Sequence, residues 1–528
     1  MNTDTRRRRA VTALGAVMYA LFAGFGVQAQ GLVHVDAGRA LLTAAALAVP
    51  AYALLAWLLR RANRPPVRRR RAFRTGRAFA LILACYLPML ALTWPGAFAY
   101  DAPFQLRQVF TGAYSSHHPL LHTLLLGGCV ALGRALGSIN AGAALYTMVQ
   151  MTALAACFAL ACGSIARSCS VRAARRCALC FALYPLHMCF AVCATKDVLF
   201  SGLLALTLAY ALEAAGQERA GRALLVKLTL CGAGMALLRN NALYAAAVWS
   251  VLLLLAAGRR GRRLAGVALL SCALCMAGNA ALSAVTGAQK GDLSETLSLP
   301  IQQLARARCV ADDRLTDEEK SAIDELMPDG AWALYDPTIS DPVKFRFDTQ
   351  QFLSDVQRYA GVYLSVGKKC PEVYLDAVLL HTFAFWYPYS EYRVSGYYLQ
   401  LGVSTEQLDE WCDFPWIQQR SLLPRVLASI SWRLGAQGAM QIPVVGWLFN
   451  MGLIVWGMLF FVLRELYAGR RARFAVALLP VLLWGTYLLG PVMAGRYAYP
   501  FVCVLPVLAG RPREVEARGD VEAVARVP

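Results

Sequence analysis

The stretch Arg77-Ala78-Phe79-Ala80-Leu81-Ile82-Leu83-Ala84-Cys85-Tyr86-Leu87-Pro88-Met89-Leu90-Ala91-Leu92-Thr93-Trp94-Pro95-Gly96-Ala97-Phe98-Ala99-Tyr100-Asp101 sets the reading of the whole chain. A basic residue is followed by an uncharged apolar run, a proline-glycine break and one carboxylate. The run has the length, about 20 residues, that an α-helix needs to cross a bilayer. Working outward, comparable runs recur at about 10–30, 38–59, 141–166, 176–194, 199–214, 222–239, 241–258, 264–286, 443–465, 474–493 and 497–511. With 77–95 they predict an all-α polytopic membrane protein of about twelve transmembrane helices. Composition agrees. The 528 residues are 58% hydrophobic and 16% charged, whereas soluble chains carry roughly 25% charged residues.

The net charge of +20 invites a nucleic-acid partner, and the positions of the arginines exclude it. They cluster at Arg6 to Arg9, Arg60 to Arg77, Arg167 to Arg176, Arg259 to Arg263, Arg470 to Arg473 and Arg511 to Arg518, each at the end of an apolar run. This is the positive-inside pattern, so both termini are expected in the cytoplasm of a multi-pass cell-membrane protein, with the lipid bilayer as partner. Arg6 to Arg9 ahead of an apolar run, with Val27-Gln28-Ala29 behind it, imitates a signal peptide. The run is long for one, and a retained first helix is expected. Sixteen cysteines are scattered singly, without metal-cluster spacing. Only Cys309, Cys370 and Cys412 fall in polar sequence, where a disulfide between two of them is open.

Domain organisation follows from the same pattern. Residues 1–75 hold two N-terminal helices and a basic loop. Residues 76–287 form a transmembrane core with a first external loop at 96–118. The apolar stretch 119–136 is expected to lie in the interface, because a crossing there would place Arg167 to Arg176 outside. Residues 288–441 carry 21 of the 32 acidic residues and read as an extracytoplasmic, mostly helical domain. Thr316 to Glu319 is a capping box that starts a helix, and amphipathic helices are expected near 371–387 and 421–437. Residues 442–528 complete the chain with transmembrane helices and a cytoplasmic tail.

Before residue 288 only Asp4, Asp36, Asp101, Asp197, Glu213 and Glu218 are acidic. Asp4, Glu213 and Glu218 fall in cytoplasmic stretches, and Asp36 in a short outer turn where water solvates it. Asp101 and Asp197 stand at external helix ends, where carboxylates near hydrocarbon are usually kept for function. Gln105 follows Asp101 by one turn, and His117, His118 and His122 place half of the six histidines close behind. A carboxylate with nearby imidazoles serves as general base or binds a divalent cation. The plain alternative is that Asp101 caps a turn and His118-Pro119 opens a helix. Lys196 precedes Asp197 and either pairs with it or joins a site. Arg239 in Arg239-Asn240-Asn241 and Arg496 before Tyr497 lie on the same face. Arginine there either snorkels or grips a lipid-linked phosphate through paired hydrogen bonds.

At these residues the chain resembles the GT-C superfamily of membrane glycosyltransferases, including protein O-mannosyltransferases and the aminoarabinose transferases of lipid A. Asp101 in the first large external loop and His118-Pro119 opening a juxtamembrane helix match that arrangement. Asp197 corresponds to the second external aspartate, and Arg496-Tyr497-Ala498-Tyr499-Pro500 is similar to the family's Arg-Tyr-x-x-Pro ending. Leu299 to Arg306 and Tyr335 to Lys344 look like an uncharacterised bacterial membrane-protein family of this architecture. Two extra helices precede the core, the His-Pro motif lacks a second proline, and the first loop has one carboxylate rather than a pair.

The resemblance implies inverting transfer of a sugar from a polyprenyl-phosphate donor to an extracytoplasmic glycan, lipid or protein acceptor. Asp101 and Asp197 would be the catalytic carboxylates. Arg496, Arg239 and Lys196 would hold the donor phosphate. Gln105, His117, His118, Tyr497 and Trp386 would contact sugar or acceptor. No cofactor is fixed by the sequence, and a divalent cation is left open. Two other classes stand beside this one: a transporter or flippase of lipid-linked saccharides, and a non-catalytic envelope-assembly protein.

Overall fold

A computed structural model describes residues 3–63, 72–256, 258–390, 401, 403, 417–425, 442 and 444–512. The described residues are helical, with isolated bridges and no strands. The first helices are α1 (Thr3–Ala29), α2 (Ala37–Ala62), α3 (Thr75–Leu92), α4 (Ala102–Thr111), α5 (Leu120–Ala135) and α6 (Ile139–Ser168). After them come α7 (Val171–Leu183), α8 (Pro185–Ala191), α9 (Lys196–Ala215), α10 (Arg222–Leu237), α11 (Asn240–Ala256) and α12 (Gly258–Thr286). Short polar side chains start several of these by accepting from orphan amides. Asp36 takes Arg39 N at 3.0 Å, Ser138 takes Ala141 N at 3.2 Å and Ser170 takes Ala173 N at 3.1 Å. Asp36 is therefore a helix cap as well as an exposed turn residue.

Helical segments occupy all twelve positions expected of crossings, but they are not alike. Six helices, α1, α2, α3, α6, α9 and α12, are long and apolar enough to cross a membrane. This makes the protein membrane-embedded. The others are 17 residues or shorter. The run expected at 176–194 is broken into α7 and α8 at Tyr184-Pro185, where proline cannot continue the amide ladder. Around α9, the most enclosed helix, pack α6, α10 and the C-terminal helices. Phe158 and Phe181 stack at 4.0 Å in this core. Residues 119–136 form α5, whose Leu126 and Val130 pack with Phe98 and Leu106 and with Ala143 near the start of α6.

An outer unit follows α12. It comprises α13 (Ser298–Val310), α14 (Asp317–Leu326), α15 (Asp341–Lys344), α16 (Thr349–Ser354), α17 (Val356–Lys369) and α18 (Pro371–Thr382) around its own core of Ile301, Leu304, Ile323, Leu326 and Val366. The Thr316–Glu319 capping box forms and starts α14. Helix α18 and the short 3-10 turn Phe383–Phe385 fill most of the 371–387 segment; of 421–437, all but 421–425 lies outside the described residues. Cys309 and Cys370 are both free thiols, and Cys412 lies outside the described residues. The chain returns to the bundle through α19 (Met451–Tyr467), α20 (Arg471–Tyr487) and α21 (Tyr499–Ala509).

Polar contacts seat the outer unit on one end of the bundle. Asp376 accepts from Val35 N at 3.1 Å, contacts His34 at 2.7 Å and pairs with Arg306 at 3.1 Å, while Arg306 also reaches Val33 O. This clasp holds the α1–α2 turn. Ser340 N donates to Pro491 O at 2.8 Å, and Ser116 N to Gln289 O at 2.8 Å. At the opposite end, arginines gather. Arg464, Arg470 and Arg473 surround Glu465, and Arg167 pairs with Glu213 at 2.7 Å. Glu213 is thus buried and paired with Arg167 and Ser164 rather than merely solvated.

Candidate functional site

A backbone bridge sets the geometry beneath the outer unit. Ala97 N donates to Val192 O at 2.9 Å, and Ala194 N to Ala97 O at 2.7 Å. The loop from α3 to α4 is thereby pinned beside the segment leading into α9. Asp101, just before α4, and Lys196, first residue of α9, come face to face. Lys196 Nζ donates to Asp101 Oδ2 at 2.7 Å and lies 3.2 Å from His118 Nδ1. Arg496 Nη1 donates to the other oxygen, Oδ1, at 3.2 Å from the turn Gly495–Ala498 that opens α21. One carboxylate therefore holds a cation on each oxygen. Its side chain is 14% exposed, as is Arg496, and Lys196 is 13% exposed.

Aromatic rings hold the guanidinium in place. Arg496 lies 5.1 Å from the ring centres of both Tyr100 and Tyr497. Tyr100 has φ of 56°, a left-handed conformation that is uncommon for a bulky residue and is stored at functional sites.

Asp197 occupies a second pair. Its carboxylate is fully enclosed and joined to Arg239. Arg239 also donates to Asn241 Oδ1 at 3.2 Å and lies over Tyr487 at 4.6 Å and Tyr497 at 4.8 Å. Tyr487 and Tyr497 stack, with centroids 5.4 Å apart. Tyr497 thus stands between two guanidiniums and couples the pairs. With no exposed surface, Asp197 does not line an open cleft with Asp101; it reaches the site through Arg239.

The charges decide protonation. Burial alone would raise the Asp101 carboxyl, but Arg496 and then Lys196 outweigh it and hold the group well below the usual carboxylate range. Burial, reinforced by Lys196, holds His118 well below the usual imidazole value, so its ring is neutral at physiological pH.

The remaining expected site residues separate. His117 is exposed, with its ring 4.4 Å from that of His118. Gln105 is fully buried and spends its side chain on Thr123 at 3.0 Å and His122 at 2.9 Å. His122 continues to Tyr146 at 2.6 Å, so these side chains form a buried internal hydrogen-bonded chain. Trp386 packs in the bundle core against Phe22 and donates to Thr382 at 2.9 Å. Tyr100, Tyr487 and Asn241 join the site without having been singled out; the polar Arg239-Asn240-Asn241 turn was the one local signal. Among the described residues no group of three or more His, Cys, Asp or Glu side chains is arranged to hold a divalent cation. Both Asp101 oxygens already face cationic side chains.

Fold and site define a membrane-embedded helical protein with a charged cluster between its bundle and its outer unit. The chain belongs to DUF6020, a family of unknown function, whose profile matches residues 108–511. That range takes in Lys196, Asp197, Arg239 and Arg496 and leaves Asp101 seven residues outside it. No curated protein and no solved structure matches the chain.

Proposed function

We propose that the protein is a membrane glycosyltransferase of GT-C type, moving a sugar from a polyprenyl phosphate to an extracytoplasmic acceptor. The observation that carries this reading is the single carboxylate flanked by Arg496 and Lys196, both partly open to solvent. An anionic phosphate entering the site competes with Asp101 for the two cations. As it binds, its negative charge replaces their hold on the carboxylate, and the base strength of Asp101 rises. Asp101 then takes the proton of the acceptor hydroxyl as that oxygen bonds to the anomeric carbon. The bond from that carbon to the phosphate oxygen breaks, its electron pair stays on the phosphate, and configuration inverts. Arg496 and Lys196 stabilise the charge gained by the leaving phosphate. Arg239 and Asp197 act as positioning residues through Tyr497.

The test is release of polyprenyl phosphate from a radiolabelled lipid-linked sugar by purified protein with acceptor present. Release at enzyme-like turnover is expected. Movement of intact labelled lipid between leaflets, without cleavage, would replace the enzyme by a flippase.

The orientation proposed with it puts the outer unit and Asp101 outside the cell and both termini inside, since arginines gather at the opposite end. Cysteines introduced at Ser116 and Asp329 should react with an impermeant reagent in intact cells. Reaction only after permeabilisation would overturn the orientation.

A further inference from the structure

His118 belongs to two neighbourhoods. One is the charge cluster. The other is a cavity of about 260 Å³ between α5, α11 and α12. Its polar lining comes from Ser116, Asn240, Tyr244, Asn279 and Ser283, and Leu120 and Leu243 supply an apolar wall. Asn279 and Ser283 are one helical turn apart and so share a face of α12.

These groups are short of partners. Among the described residues the Asn279 amide meets only the Cys275 thiol, at 3.7 Å, and Asn240 gives one hydrogen bond, to Ser116 O at 3.3 Å. The hydroxyls of Tyr244 and Ser283 have no hydrogen-bond partner among the described residues. Asn279 and Ser283 are half-buried, while Asn240 and Tyr244 are exposed at the rim, Tyr244 by 67%, so a ligand entering the cavity meets hydrogen-bonding groups that the fold has left largely uncommitted. Apart from His118, which is neutral, no ionisable acid or base other than the phenol of Tyr244 lines the cavity. The volume falls just short of drug-sized ligand pockets, which run from roughly 300 Å³ upward. It suits one ring rather than an oligosaccharide.

We propose that this cavity seats the transferred glycosyl group and that Asn279, Ser283, Asn240 and Tyr244 select a single uncharged sugar through its hydroxyl or acetamido groups. The proposal rests on the donor-phosphate reading above. The apolar wall faces the less polar side of the ring, and the neutral lining gives no counter-charge to an acidic or amino sugar. His118 spans the two compartments, with phosphate on the Lys196 side and sugar on the Asn279 side.

The experiment measures binding of farnesyl phosphate to the purified full-length protein, alone and carrying glucose, galactose, mannose, N-acetylglucosamine or glucuronate. At least one neutral glycosyl form should bind more tightly than bare farnesyl phosphate, and the glucuronate form should not. Asn279→Leu and Ser283→Ala should each weaken that neutral form by roughly 2- to 10-fold, the effect of one lost hydrogen bond. Both variants should bind bare farnesyl phosphate as before, which also shows that they fold. Equal weakening toward bare farnesyl phosphate would make the cavity a seat for the prenyl chain and overturn the proposal. So would preference for glucuronate, or no gain from any neutral sugar. Arg496→Gln separates the two levels: if it leaves farnesyl phosphate binding unchanged, the phosphate reading itself falls.

Discussion

Two carboxylates at opposite ends of the bundle meet arginine in opposite ways. Glu465 is 2% exposed and takes Arg464 at 2.7 Å, Arg470 at 2.6 Å and Arg473 at 3.2 Å. Those arginines have further duties. Arg464 donates to Leu508 O at 2.8 Å and Gly510 O at 3.1 Å, and Arg473 to Leu212 O at 3.3 Å, so they cap the final carbonyls of α21 and α9. Cationic donors at helix C-termini stabilise the ends of both helices. Asp101 likewise holds Arg496 and Lys196, but among the described residues neither cation donates to the carbonyls of a helix end, and all three remain partly open. One cluster is closed by the fold it supports. The other keeps its charges where an incoming anion reaches them.

The sharpest way to break this contrast is Asp101→Asn. The variant keeps size and shape but not proton affinity. Transfer should fall by ~10²–10⁴-fold, the usual contribution of a general base, while thermal stability in detergent stays close to that of the parent. Unchanged turnover would make Asp101 a structural ion-pair partner like Glu465.

Glu465→Ala should do the reverse. It leaves three arginines around a site without a carboxylate, and removing one partner of a buried ion pair costs about 3–5 kcal/mol. A large fall in melting temperature is expected, with turnover per folded molecule preserved. A variant as stable as the parent would show that capping carbonyls alone suffice for the arginines.

The smallest expected effect sharpens the electrostatics. Because Asp101 is held below the ordinary carboxylate value of ~3.9, its ionised form persists as pH falls through that value. The sign follows. Stability from this group is complete above the unfolded value and is lost only as pH drops through the lower folded one. Lys196→Met removes a lowering charge, so the acid limb of kcat/KM, which reports the unliganded protein, should move to higher pH. An unmoved limb would mean that another group sets it.

Much of the fold was legible because helices are written locally. Apolar runs, the Thr316 capping box and terminal arginines each depend on a few neighbouring residues. The break at Pro185 was equally local, but the surrounding apolar run concealed it. The candidate site was legible in its members more than its arrangement. Asp101, Lys196, Asp197, Arg239 and Arg496 each stood out as ionisable groups at one set of helix ends. Which carboxylate meets which cation depends on packing between residues as far as 395 positions apart. The sequence places Lys196 beside Asp197, yet its ammonium turns to Asp101. Gln105 and Trp386 look suited to a ligand by type, and tertiary packing gives both to internal partners. Tyr100 and Tyr487 carried no signal, since tyrosine at a membrane interface is common.

The clasp at Asp376 has a consequence for biosynthesis. The α1–α2 turn is made well before its partners, since Asp376 lies 342 residues beyond His34 and Arg306 lies 273 beyond Val33. At ~5–20 residues per second, the first hairpin waits tens of seconds in the bilayer before its anchors are made. Until the outer unit has folded, Val35 N and Val33 O face water. Closing the clasp therefore joins two parts of the chain made tens of seconds apart, and it draws on none of α19 to α21, which follow Asp376 in the sequence.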